Sequence, residues 1–523
     1  MHDAVIVGSG FGGAVSACRL AEAGRDVLVL ERGREWAPED YPREPGDAWI
    51  WDVDEPHRQN GWIDLRIMDD MWVVQGAGVG GGSLIYANIS IDAPDEAFDD
   101  GWPAAIDAAE LRPHYARVAA MLRPAELPDN QLTARFKLMR EAAEKTGAAH
   151  RFRKLPLAVT FAEKWDPAAP DPTGDGHSQS WTNPQGVVQG TCVHCGNCDI
   201  GCTVRAKNTL DLNYLAAARN AGARIQPLAL VSHVEPLGGA WRVHYCRLEG
   251  GERIPAHVDA RRVLLAAGSL GSTEILLRSR DQYRSLRNLS GALGNNWSSN
   301  GDFLTPAIYR GRDIAPTVGP TISAAIDYLT DGKDGARFFV EDGGFPNVIG
   351  NYARARLAKS RSLVERQLLT RMRAALGDNP LREIMPWFGQ AIDGGDGRLY
   401  LGRRWYAPWR RVLKLDWDAR RSQLGVGGLA AMHRELSLAT GGEPLATPSW
   451  TNFGMLVTPH PLGGCNMAAS PAAGVVDHRC AVFGHEGLYV VDGAVVPRPL
   501  GLNPSKTIAA LAERACALLL KEQ

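Results

Sequence analysis

The chain lacks any long uninterrupted apolar run. Its most apolar late stretch, 507–520, is broken by Glu513 and Arg514, so no membrane-spanning helix is expected. It also lacks a basic segment followed by an apolar one near Met1, where a short strand and a glycine turn begin at once. No export signal is therefore readable, and the expected location is cytoplasmic. An excess of charge of one sign is missing too. The formal net charge is −2, which argues against nucleic acid as a partner. Internal repeats and low-complexity tracts are absent. The nine cysteines are odd in number and unevenly placed, unlike a secreted disulfide framework.

What is abundant is length and glycine. The 523 residues suffice for two or three domains at roughly 100–200 residues each. The 57 glycines gather in short runs, which suits backbone approaching a ligand better than flexible linkers. Residues 3–31 read as strand, glycine turn, helix and strand. The turn is Gly8-Ser-Gly10-Phe-Gly12-Gly13, and Glu31 ends the second strand about twenty residues on, where a carboxylate can accept from ribose hydroxyls. Helix N-terminal amides above such a turn favour a pyrophosphate. The turn alone does not separate NAD from FAD. Here Glu31-Arg32 leads into a long Trp- and Pro-rich excursion and a second glycine run, Gly76-Ala-Gly78-Val-Gly80-Gly81-Gly82-Ser83-Leu84, the kind of second cradle that a ligand as long as FAD needs.

Helical patterns dominate 104–150, and 208–221 is helical as well. Strands follow between 224 and 267, the last running into Gly268, and the chain ends with a strand at 488–491 and a helix from Pro504. Between 300 and 450 the character changes, with Trp387, Trp405, Trp409, Trp417 and Trp450 concentrated there. This reads as a second, substrate-facing lobe. The expected fold class is α/β, a doubly wound Rossmann-like lobe with a second α+β lobe. The first lobe is drawn from 1–100, 200–300 and 455–523, and the second from 101–199 and 301–454.

Cys192, Cys195, Cys198 and Cys202 have the CxxCxxCxxxC spacing of bacterial cubane iron–sulfur ligands, with Thr203 in place of the usual proline. The candidates are a 4Fe–4S or 3Fe–4S cluster, zinc, and free thiols or disulfides. Arg354, Arg356, Lys359, Arg361, Arg366, Arg371 and Arg373 alternate with apolar residues. This is either a solvated helix face or a peripheral contact with an anionic membrane.

GSGFGG at 8–13, GVGGGSL at 78–84, AAGSLGSTEILL at 266–277, HPLGGC at 460–465, and LYVVDGAVVP followed by GLNPSKTIAALAER at 488–514 together resemble the glucose-methanol-choline oxidoreductases, in particular their cholesterol-oxidase-like branch. The resemblance lies in the flavin lobe, and 300–450 contributes no motif to it. It implies non-covalent FAD. Residues 8–13, Glu31 and Arg32 would serve the ADP half, the backbone near Val231 the adenine, and Asp492 with Gly493 the ribityl and pyrophosphate region. Residues 78–84, Gly268 and Asn503-Pro504 complete the expected cofactor contacts. The family often has an asparagine shortly after GGGSL, but here Ile85 and Tyr86 precede Asn88, so Asn88 is given no flavin contact.

The resemblance places His460 and Asn503 at the reacting centre. A neutral imidazole can accept the hydroxyl proton while hydride leaves the alcohol carbon. Asn503 also suits a helix N-cap, with Pro504 at the first helical position. The relatives use a cavity carboxylate for steroid isomerisation. None is readable here, and Gln390 is a candidate cavity polar group. The implied reaction is hydride transfer to flavin from a bulky apolar secondary alcohol such as a sterol or terpenoid, with dioxygen, a quinone or a redox protein as acceptor. The alternative is an iron–sulfur flavoprotein taking electrons from a sugar alcohol or NAD(P)H.

Overall fold

The computed structural model describes residues 1–68, 70–346, 348, 380–404, 407–446 and 455–521. The basic stretch at 354–373, Trp405 and Trp450 lie outside the described residues. Among those described, no helix is long and apolar enough to cross a membrane.

The first βαβ unit forms where the apolar pattern places it. Strand His2–Val7 is followed by helix Phe11–Glu22 and strand Val27–Leu30. Both strands are buried, and they pair in parallel, Val7 opposite Leu30. Two glycines make the turn between them feasible. Gly8 has φ +98°, and a side chain on Gly12 would overlap the Val491 carbonyl. These positions let the helix settle directly on the backbone at Val491, just past strand Leu488–Val490.

The sheet grows on both sides of this unit. Arg224–Gln226 joins one edge beside Val27–Leu30, while the long strand Glu252–Leu265 lies parallel to His2–Val7 on the other side. Leu488–Val490 adds in parallel to that long strand. Its other half turns back through Ala240–Glu249 and Ala229–Leu237 as an antiparallel extension. Helix Ser505–Lys521 packs against Phe11–Glu22 and closes this α/β lobe.

A second, six-stranded antiparallel sheet takes strands from Phe152–Lys154 and from several segments between 303 and 444. Phe303–Ile308, Ile384–Ala391 and Phe338–Glu341 form its centre, and helix Gln423–Ala439 covers it. Trp387 is fully buried there. Two lobes are thus present, and one apolar core runs through both. A separate two-stranded ribbon, Arg398–Arg404 paired with Ala407–Asp416, joins neither sheet.

Candidate active site

A cavity of about 860 Å³ runs from the first glycine turn to His460 and Asn503. At the glycine turn, helix Phe11–Glu22 starts after Gly10, which caps it with no side-chain hydrogen bond. The first amides of the helix are therefore left for a ligand. Gly10 and Gly82 face open space: a Cβ on Gly82 would meet nothing within 4 Å, and one on Gly10 only the backbone of Gly81 and Gly82 at 3.9 to 4.0 Å. Ser9 ties the two glycine runs together. Its Oγ accepts from the Gly80 N–H at 3.0 Å and donates to Glu31 Oε2 at 2.6 Å. Glu31 also accepts from the Ser9 and Gly33 amides, and burial raises its pKa.

Gly8, Gly10, Gly12, Glu31, Arg32, Gly81, Gly82, Val231, Gly268, Asp492, Gly493, Asn503, Pro504 and His460 all line the cavity. The remaining expected contacts do not. Gly13 packs against the Gly8 carbonyl, and Gly78 against the Trp36 ring. Gly80 and Ser83 hold the second glycine run in shape: Ser83 Oγ donates to Gly80 O at 2.7 Å and accepts from the Leu210 N–H at 3.0 Å. Leu84 is buried against Trp36, Tyr41 and Trp62. The Asp492 carboxylate is turned to the protein, accepting from Gly268 N, Ala494 N and Ser272 Oγ at 2.5 to 2.9 Å. Burial pushes its pKa up to about 6.

At the far end, His460 Nδ1 lies 2.7 Å from Asp302 Oδ1. Thr458 Oγ1 accepts the His460 backbone N–H at 2.9 Å and stands 2.6 Å from Asp302 Oδ2. Asp302 is buried, at 1% exposure. With Nδ1–H donating to that carboxylate, Nε2 is left as an acceptor. Asn503 differs from expectation by one position. The first helical carbonyl is that of Pro504, which accepts from the Ile508 N–H at 2.9 Å. Pro504 therefore caps the helix, and the Asn503 side chain lies outside it, with Oδ1 buried and unpartnered.

Behind Asn503 stands the carboxylate that sequence reading did not find. Glu341 is fully buried and accepts from Gln390 Nε2 at 3.0 Å, with Asn503 close by. Burial drives its pKa well above the usual carboxylate range, and Asp302 and Asp342 add to the rise. Glu341 Oε1, Gln390 Oε1 and Asn503 Oδ1 are all buried without a partner. Such orphans in one cluster mark a place for a polar ligand group. A sequence signal existed, since Glu341 ends an apolar strand and Asp342 follows it, where two carboxyls have no ordinary place. Asn88 is buried and does not line the cavity, so it stays without a cofactor role.

The cysteine run gains no support as a set of cluster ligands. Among the described residues, no group of three or more His, Cys, Asp or Glu side chains converges to hold a metal ion. All four cysteines are free, Cys198 in a short helical turn, Cys198–Ile200. Burial raises the pKa of Cys192 and Cys202 and pushes Cys195 up to about 12. The iron–sulfur reading is not supported. The run instead packs behind the second glycine segment, bridged by Lys207, whose Nζ donates to Cys198 O and Leu84 O.

A dinucleotide cradle that opens onto a carboxylate-oriented histidine defines an oxidoreductase site of the flavin type. Residues 182–306 and 436–512 match models of the GMC oxidoreductases, and 6–37 matches an NAD(P)-binding Rossmann-like domain. The chain is 31% identical to a cholesterol oxidase of Acinetobacter baumannii, over 99% of this chain and 94% of that one. It is 30% identical to a cholesterol oxidase of Mycobacterium tuberculosis, over 99% and 91% respectively. Among solved structures, pyridoxine 4-oxidase from Mesorbium loti superposes with a TM-score of 0.64 over the full length of both chains at 16% identity, a likeness of fold. The chain belongs to the GMC oxidoreductase family and is an FAD-dependent oxidoreductase.

Proposed function

We propose that this protein oxidises the hydroxyl of a bulky apolar secondary alcohol, of the sterol or terpenoid kind, to a ketone, with dioxygen as the final acceptor. The observation that carries this reading is the His460–Asp302 pair, which shares one cavity with the glycine cradle and Asn503. The open faces of Gly10 and Gly82 and the unpartnered Asn503 Oδ1 fit FAD. FAD, when bound, supplies the acceptor for the hydride that leaves the alcohol carbon.

The protein's own groups handle the proton and the orientation. Nε2 of His460 takes the hydroxyl proton, while Asp302 holds the ring in that tautomer and stabilises the imidazolium. General-base help of this sort is worth about 10² to 10⁴-fold, or about 3 to 5 kcal/mol. Asn503 fixes the hydroxyl opposite His460, and the N-terminus of helix Ser505–Lys521 beside it favours negative charge on that side of the cavity. Glu341, its pKa raised by burial, completes the polar cluster. Apolar walls from Phe11, Ile85 and Ile89 suit a large hydrocarbon skeleton. The two relatives named above are sterol oxidases, which supports both the substrate class and dioxygen.

The test is anaerobic bleaching of the bound flavin by a panel of 3-hydroxysteroids, terpenoid alcohols, sugar alcohols and NADH, followed by a peroxide assay in air. Fast bleaching by a steroid or terpenoid alcohol with stoichiometric peroxide is expected. Bleaching by NADH or sugar alcohols alone would overturn the substrate reading, and reduction without peroxide would overturn the choice of dioxygen.

A further inference from the structure

The ribbon of Arg398–Arg404 and Ala407–Asp416 follows sequence positions expected in the substrate lobe, yet one arm, Trp409 to Leu415, lines the cofactor cavity. Its cross-strand pairs put Leu399, Leu401, Leu413 and Leu415 on one face, and Leu399, Leu413 and Leu415 are buried. This leucine face roots the ribbon beside Gly294, whose carbonyl accepts the Leu399 N–H at 2.7 Å. At the other end the ribbon meets Asp54, on the excursion that follows the first βαβ unit. Arg404 pairs with one carboxylate oxygen of Asp54, and Arg410 with the other at 3.1 Å. Midway, Arg411 donates to the Asp281 carbonyl at 3.0 Å.

These anchors span the end of the cavity bounded by Val231, Ser232 and Tyr283. Arg253, two strands from Val231 in the same sheet, also donates to the Asp54 carbonyl. Trp409 stands on the ribbon at this end, lines the cavity, and is 82% exposed. An isolated two-stranded ribbon is marginally stable in water, so its position depends on what holds its ends. A ligand lying beneath it cannot leave until one end is released.

We propose that the ribbon is a strap over the adenosine diphosphate half of the bound FAD, latched by Asp54 between Arg404 and Arg410, and that this latch sets how slowly the cofactor departs. The proposal rests on reading the first glycine turn as the pyrophosphate cradle. That turn directs the adenosine past Glu31 toward Val231, beneath the ribbon.

The experiment measures FAD release from the holoenzyme, as the rise of free-flavin fluorescence after dilution. Asp54→Ala and, independently, the half-exposed Arg410→Ala are compared with the parent and with Asp418→Asn, which alters an exposed ion pair away from the cavity. Release is expected to quicken about ten-fold in Asp54→Ala, a change of about 1.4 kcal/mol, and by less in Arg410→Ala, with an unaltered flavin absorption spectrum. Added salt should speed release from the parent and have little effect on Asp54→Ala. Parental release rates in both variants would overturn the strap while leaving the cofactor site intact. A parent that holds no FAD would instead overturn the reading of the glycine cradle on which the strap rests.

Discussion

Asp302 does for His460 what no neighbour in sequence could do, holding Nδ1 so that Nε2 faces the cavity. Asp302→Asn keeps the shape but offers an amide to the ring and removes the charge that stabilises an imidazolium. The variant is expected to retain FAD and lose most of the histidine's contribution, about 10² to 10⁴-fold in flavin reduction. Anaerobic stopped-flow reads this directly, and an unchanged rate would remove Asp302 from the mechanism. His460 and Asn503 were legible because they stand inside recognisable turns. Asp302 and Glu341 were not, because each comes from the lobe without motifs and reaches the site only through sheet pairing and a buried hydrogen bond. The Cys192 to Cys202 run is the reverse case. Its spacing satisfied a ligand pattern, but spacing carries no information on whether four thiols point to one centre.

Among the elements, the glycine turn and helix Gln423–Ala439 give the sharpest tests. Gly12→Ala places a methyl in the Val491 carbonyl, an overpacking that costs about 1 to 3 kcal/mol, and the protein should purify without yellow colour. Gly82→Ala meets no protein atom, so it should fold like the parent and bind FAD more weakly. Equal FAD content in the two variants would contradict this division. On the helix, His433 is wholly buried against the second sheet, and burial lowers its pKa from 6.5 to about 3. Its stabilising effect is therefore complete above pH 6.5 and fades as pH falls toward 3, since the unfolded chain takes up a proton that the folded one refuses. Relative to the parent, His433→Phe should gain about 1.4 kcal/mol per pH unit between about pH 6 and 4. A thermal-midpoint difference that stays constant with pH would refute it. The first βαβ unit, the strands after 224 and the closing helix were all readable from apolar period and turn chemistry. The antiparallel second sheet was not, because its strands are gathered from distant segments whose pairing no local pattern records.

The whole molecule places a glycine-rich cradle at one end of a cavity and a carboxylate-held histidine at the other. The ribbon at 398–416 shows the limit of dividing a chain by composition, since residues from the middle of the expected second segment line the cofactor cavity. Oxidation at this site turns on His460 as the group that takes the alcohol's proton. The most direct measurement is the anaerobic rate of flavin reduction at saturating alcohol in the parent and in His460→Ala, with FAD content determined on the same samples. Full FAD with a rate lowered about 10² to 10⁴-fold is the result predicted. Full FAD with the parental rate would contradict the assignment of the site.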